Sequence, residues 1–148
     1  MKAKEYLQQL QRLDIMIKQK IKEVDDLRLK SRGIGSIDYS EERIQTNSSG
    51  EARFAKLADR IVDLESEIND EIRVFVDERH KIINQIQALK NSKYIEVLYK
   101  HYVEFKRLEV VATEMNFTYQ YIVELHGYAL KYFQTTYENL LNSNDEKR

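Results

Sequence analysis

Leu108-Glu109-Val110-Val111-Ala112-Thr113-Glu114-Met115-Asn116-Phe117-Thr118 is the stretch whose reading fixes the fold class. Leu108, Val111, Ala112 and Met115 recur at helical spacing, which predicts a short helix with one apolar side. Asn116 tolerates the left-handed backbone that a β-branched residue resists, and Thr118 is a standard helix N-cap. A new helix is therefore expected from Tyr119, with Ile122, Leu125, Ala129, Leu130 and Phe133 as its buried stripe. Ala112, at the expected crossing, lacks the bulk that would hold the two axes apart. Upstream, Asn91-Ser92 offers caps for a helix on which Tyr94, Ile95, Leu98, Tyr99 and Tyr102 share a face, and Glu104-Phe105-Lys106 makes a short connection. Three helices with a tight turn between the last two read as a helix-turn-helix, whose final helix presents its exposed N-terminal face to a DNA major groove.

The chain before this segment is different material. Eleven of the fifteen aromatic residues lie between Tyr94 and Tyr137, whereas residues 1–90 are aliphatic and charged, with 17 basic against 17 acidic. Tyr6, Leu10, Leu13, Ile17, Val24 and Leu27 form one helical stripe, widened by Leu7, Ile15 and Ile21. The pattern stops after Lys30, and turn-forming residues from Ser31 to Gly50 predict a loop. From Glu51 a second stripe runs through Leu57, Ile61, Leu64, Ile68, Ile72, Phe75, Ile82, Ile86 and Leu89. Such a helix, about 60 Å long at 1.5 Å per residue, cannot bury its stripe alone. The first helix folded back on it as an antiparallel hairpin covers most of it, and the surplus predicts packing on the C-terminal domain or a homodimer through the long helices.

Composition narrows the function classes. With 24 Lys+Arg against 25 Asp+Glu, the net charge is −1, which does not suit a protein that coats polyanions. There is no cysteine, hence no disulfide framework, thiol chemistry or Cys-based zinc site. There is no proline and there are only four glycines, favouring long helices. No apolar run reaches the ~20 residues of a membrane span, and Met1-Lys2-Ala3-Lys4-Glu5-Tyr6 does not open a signal peptide, so a cytoplasmic protein without membrane association is expected. Gly-rich phosphate loops, HExxH and nucleophile elbows are lacking, and His80 has no second ligand at i+4, so neither enzyme chemistry, a cofactor nor a metal is expected. The stripes themselves are first of all core, and the charges facing them solvated surface.

The runs Tyr94-Ile95-Glu96-Val97-Leu98-Tyr99-Lys100-His101-Tyr102-Val103, Leu108 to Thr118 and Leu125-His126-Gly127-Tyr128-Ala129-Leu130 resemble region 4 of sigma-70-type transcription factors. They are more similar still to the small sigma-like regulators of phages and prophages of Gram-positive bacteria, whose recognition helix carries an "LHGxAL" stretch. The polar loop around Gln45-Thr46-Asn47-Ser48-Ser49-Gly50 resembles one those proteins place between two N-terminal helices. What the resemblance implies is a transcription regulator that touches double-stranded DNA, RNA polymerase or both. The departures are chemical. Tyr119, Gln120, Tyr121, Val123 and Glu124 stand where region 4 carries basic residues, Val110 replaces an acidic residue, and Arg107 replaces a small capping one. Over residues 91–134, Lys93, Lys100, Lys106, Arg107 and Lys131 face five glutamates, so weak monomeric DNA binding is expected.

Candidate DNA-binding residues follow: Lys106 and Arg107 for the backbone, Thr118 as a cap and secondary phosphate donor, and Gln120 for adenine. Tyr119, Tyr121, Glu124, Tyr128 and Lys131 complete the exposed face. Tyr119 and Tyr121 serve equally as the centre of a protein interface, or as residues covered by the long second helix. His126 is expected to be packed and hydrogen-bonded, and Gly127 to mark a close helix contact. The expected architecture is all-α, with a long antiparallel helical hairpin (coiled coil) over 1–90, a sigma-region-4-like helix-turn-helix over 91–137 and a polar tail over 138–148. The leading expectation is a DNA-binding phage or prophage transcription regulator. An interaction module docking on RNA polymerase or a sigma factor is the second, and a phage DNA-packaging component the third.

Overall fold

With no proline to remove a backbone donor, nothing forces the long amphipathic segments to break. The computed structural model describes residues 1–35 and 47–147, and these are all-helical, without a strand. The elements are α1 (Ala3–Gly35), α2 (Asn47–Gln87), α3 (Ser92–Leu98), α4 (Leu108–Met115), α5 (Tyr119–Thr136) and α6 (Glu138–Asp145), with a π-helical turn, Tyr99–Val103, continuing α3. The expected loop over 31–50 is helical at both ends, since α1 runs on to Gly35 and α2 begins at Asn47. Serine and glycine cost a helix at most about 1 kcal/mol each, too little to end it. Residues 36–46, the middle of that expected loop, lie outside the described residues. Among the described residues no helix is long and apolar enough to cross a membrane.

Two compact units divide the chain: Met1–Asp14 with Phe75–Arg148, and Ile15–Val74. The division falls inside α1 and α2 instead of at residue 90. Its physical reason is the core of the first unit, where Tyr6, Leu7 and Leu10 join Ile82, Ile86 and Leu89 and the apolar faces of the later helices. From those helices come Val97, Leu98, Val111, Ala112, Ile122, Leu125, Ala129 and Phe133. Polar groups fix the register. The Tyr6 hydroxyl donates to Gln85 Oε1 at 2.8 Å, the Tyr137 hydroxyl donates to the Gln85 carbonyl at 2.7 Å, and the Ala3 amide donates to Gln134 Oε1 at 2.6 Å.

The second unit is thinner. Val24, Leu64 and Ile68 are its buried residues, with Leu27 and Ile61 packed against them. Lys20 pairs with Glu67 at 3.6 Å and with Glu71, and Arg28 pairs with Glu65. Ile15 and Ile21, expected to widen the stripe, are 48% and 42% exposed, so the buried face of α1 is narrower than its sequence suggests.

Residues 138–148 are not a polar tail. Residues 138–145 form α6, and Leu141 is fully buried in the core of the first unit. Leu140 packs beside it against the same core, and the Met1 amino group bonds the Leu141 carbonyl at 3.3 Å, so the anchor is two adjacent leucines and a remote terminus, a signal too short for periodicity to register. Leu141→Ala should therefore lower unfolding stability by about 2–5 kcal/mol in urea titrations, as for a large core truncation. The exposed neighbour Asn142→Ala should stay within about 0.5 kcal/mol of the parent. Equal effects for the two would restore the tail.

Candidate nucleic-acid interface on α4 and α5

The turn between α4 and α5 is set by Asn116, which takes φ 57° and ψ 41°. Its amide donates to the Thr113 carbonyl at 3.3 Å, and the Phe117 amide donates to the Ala112 carbonyl at 3.0 Å. These paired bonds are the Schellman closure of a helix end, with Asn116 as the left-handed residue. Thr118 then caps α5, its hydroxyl accepting from the Tyr121 amide at 3.2 Å. Both turn residues take the conformations their chemistry predicts, and Ile122, Leu125, Ala129 and Phe133 all point into the core.

The opposite side of α5 is open. Tyr119 is 51% exposed and Tyr128 58%, while Gln120, Val123, Glu124 and Lys131 are also exposed. Tyr121 is 36% exposed but engaged: its ring lies 4.7 Å from Phe117, and its hydroxyl accepts from Lys93 Nζ at 3.2 Å. Further along the helix, Lys131 Nζ sits 5.9 Å from the Tyr128 ring centroid, and Tyr132 packs on Tyr94 at 5.6 Å. Arg107 is exposed at the N-cap of α4, without a side-chain capping bond.

Lys106 is placed differently from an open backbone contact. It reaches Glu114 Oε1 at 2.8 Å and Glu104 at 2.9 Å, and Glu114 also accepts from Lys100 at 3.0 Å. Those bonds hold the Lys106 ammonium in its charged form and the Glu114 carboxyl below its ordinary value. The connection before α4 is further shaped by Phe105, which adopts φ 59° although it is neither Gly nor Asn. The Glu104 amide bonds the Tyr99 carbonyl at 3.1 Å, the wide i→i−5 step of a π-turn.

Behind this surface lies a pair of histidines whose proximity sequence spacing does not reveal. His101 Nδ1 stands 2.7 Å from the Lys106 carbonyl, which only accepts, so Nδ1 carries the proton. The His101 ring meets His126 edge-on at 5.0 Å, and the Tyr102 hydroxyl and His126 Nε2 are hydrogen-bonded at 2.7 Å. Burial, with a smaller contribution from the His101 and Lys4 charges, pushes the His126 pKa down to about 4; burial pushes the Tyr102 phenol up. His126 is thus the packed, hydrogen-bonded residue expected of it. Gly127 is not at a close contact: a Cβ there would meet nothing within 4 Å.

Sequence reading missed Lys93, Phe117 and His101 as site neighbours. No local pattern links Lys93 to Tyr121 or His101 to His126, because only the tertiary fold joins them. No protein-family model, curated protein or solved structure matches the chain.

Two measurements check this geometry. Gly127→Ala should raise stability by roughly 0.5–1 kcal/mol, since an open helix interior gains from alanine; a loss would mean that the helix side is covered. For His126, the folded pKa lies below the ordinary value of 6.5, so the unfolded chain binds the extra proton. Stability should be full above about pH 6.5 and decline as pH falls towards 4, starting above the carboxylate range. Thermal midpoints of His126→Gln should be flatter than the parent between pH 6.5 and 5; parallel curves would sink the assignment.

Proposed function

We propose that the chain is a DNA-binding transcription regulator of the phage and prophage sigma-like type, acting in the cytoplasm through α4 and α5 as a helix-turn-helix. The observation that carries this reading is the left-handed Asn116 followed by the Thr118 cap, which leaves Tyr119, Gln120 and Glu124 exposed at the start of α5. In a major groove, Gln120 would pair with an adenine edge through two hydrogen bonds, and the tyrosine hydroxyls and Arg107 would meet phosphates. Thr118, already bonded to the Tyr121 amide, acts first as a cap.

The N-terminal helices act in this reading as an antiparallel hairpin that sets spacing or joins two copies. Support comes from the order of their ion pairs: Lys20 meets Glu67 and Glu71, while the later Arg28 meets the earlier Glu65.

A second reading is favoured by one specific feature, the capture of Lys106 by Glu104 and Glu114, which removes a cation from the face. There the exposed tyrosines dock on RNA polymerase or a sigma factor.

Selection from random duplexes, followed by salt titration, separates the two. The DNA reading expects an enriched sequence whose affinity falls steeply with salt. Gln120→Ala should lose about 1–3 kcal/mol of preference at one base pair without changing helicity. Failure to enrich any duplex at low salt, with polymerase retained on the immobilised chain, would replace this reading with the second.

A further inference from the structure

We infer that Lys93, on the first turn of α3, is a phosphate-backbone contact of the α4–α5 face, positioned for that role by Phe117 and Tyr121. The inference rests on the duplex-binding reading and extends it to a helix outside the helix pair.

Lys100 and Lys106 are committed to Glu114, and Lys106 also to Glu104. Lys93 differs, for among the described residues no carboxylate stands within ion-pair distance of it. Its ammonium lies 5.3 Å from the Phe117 ring centroid and 5.6 Å from that of Tyr121, and donates to the Tyr121 hydroxyl at 3.2 Å. An ammonium has three donors, so this bond leaves two for an incoming anion.

The two rings do what a carboxylate would not. Phe117 attracts the cation through its ring and Tyr121 holds it through its hydroxyl oxygen, and neither neutralises it, so its full charge stays available. Holding the side chain in place also removes in advance part of the rotamer entropy that a free lysine loses on binding. The cage gives Phe117 and Tyr121 a purpose as well. Both are more than a third exposed, which core packing alone does not explain.

Position and charge select the occupant. Phe117 belongs to the turn and Tyr121 to the first turn of α5, so the ammonium lies at the margin of the surface that the proposed reading turns towards DNA. The ammonium itself is the site, and not the end of α3, whose Lys93 and Tyr94 amides are already bonded to the Asn91 side chain. A bare cation fixed beside a groove-reading helix fits a phosphate oxygen of the duplex, which carries charge at every nucleotide.

The test uses the full chain and the duplex that the parent enriches. Apparent affinity is measured over a range of salt for the parent, Lys93→Gln, Lys93→Arg and Gln120→Ala. Lys93→Gln should lower the slope of log K against log[salt] by about 0.9, the value of one phosphate contact, and weaken all sequences alike. Lys93→Arg should keep the slope, and Gln120→Ala should keep it while altering base preference. An unchanged slope in Lys93→Gln, a loss confined to one sequence, or a slope lost in Lys93→Arg overturns the inference and leaves the duplex-binding reading standing. A parent chain that enriches no duplex removes both. Circular dichroism confirms that each variant is folded, and if Lys93→Gln is not, Lys93→Met, which keeps the stem without the charge, takes its place with the same expected slope change.

Discussion

Asn116 adopts a backbone conformation that most residues avoid, and the surface of α5 depends on it. A right-handed residue at that position would let α4 run on into α5 as one rod. Val111 and Ala112 could then not share a core with Ile122 and Leu125, because residues about ten apart on a straight helix stand roughly 15 Å apart along its axis. The Schellman bonds from Asn116 and Phe117 close α4, and the Thr118 hydroxyl opens α5. Between them, these residues turn the chain sharply enough to send one face of α5 inward and leave Tyr119, Gln120 and Glu124 outside.

That turn was legible because it is local. Asparagine tolerates the left-handed region and threonine caps a helix whatever surrounds them, so their chemistry determines the structure without help from distant residues. The stripes of α3, α4 and α5 were legible for the same reason. Elements defined by remote partners were not. Leu141 closes the core of a unit that also contains Tyr6 and Leu10, but nothing adjacent to it in sequence announces the burial. The exposure of Ile15 and Ile21 is the converse, since periodicity counts apolar residues without knowing how many a neighbour can cover.

The same distinction governs the face. Exposure of Gln120, Glu124 and Tyr128 follows from helical phase once the buried stripe is known. The fate of the charges does not, because it depends on which side chains the fold brings together. Lys106 looks like a free cation in sequence, yet it meets Glu114 across the connection and α4. Lys93 looks like an ordinary capping-region lysine, yet it lies beside the Phe117 ring and bonds the Tyr121 hydroxyl. Phe105 accepts a left-handed backbone with no sequence cue, while its side chain packs against the core, which offsets the strain.

Under the proposed duplex-binding reading, charge accounting constrains how the chain can work. With Lys100 and Lys106 paired to glutamate, Lys93, Arg107 and Lys131 are the cations of this segment left to meet phosphate. Neutralising about three phosphates gives a salt exponent near −2.7, or about a fortyfold loss of affinity between 50 and 200 mM salt. Non-specific attraction on that scale is small, so one copy would be held to a site mainly by whatever base contacts α5 makes. Two copies on one duplex would double the exponent and raise the loss to about 10³-fold, within the range usual for regulators. In that reading, joining copies or recruiting a larger protein would do more for occupancy than any single substitution on α5, and the long α1 and α2 are the elements with length to spare for it.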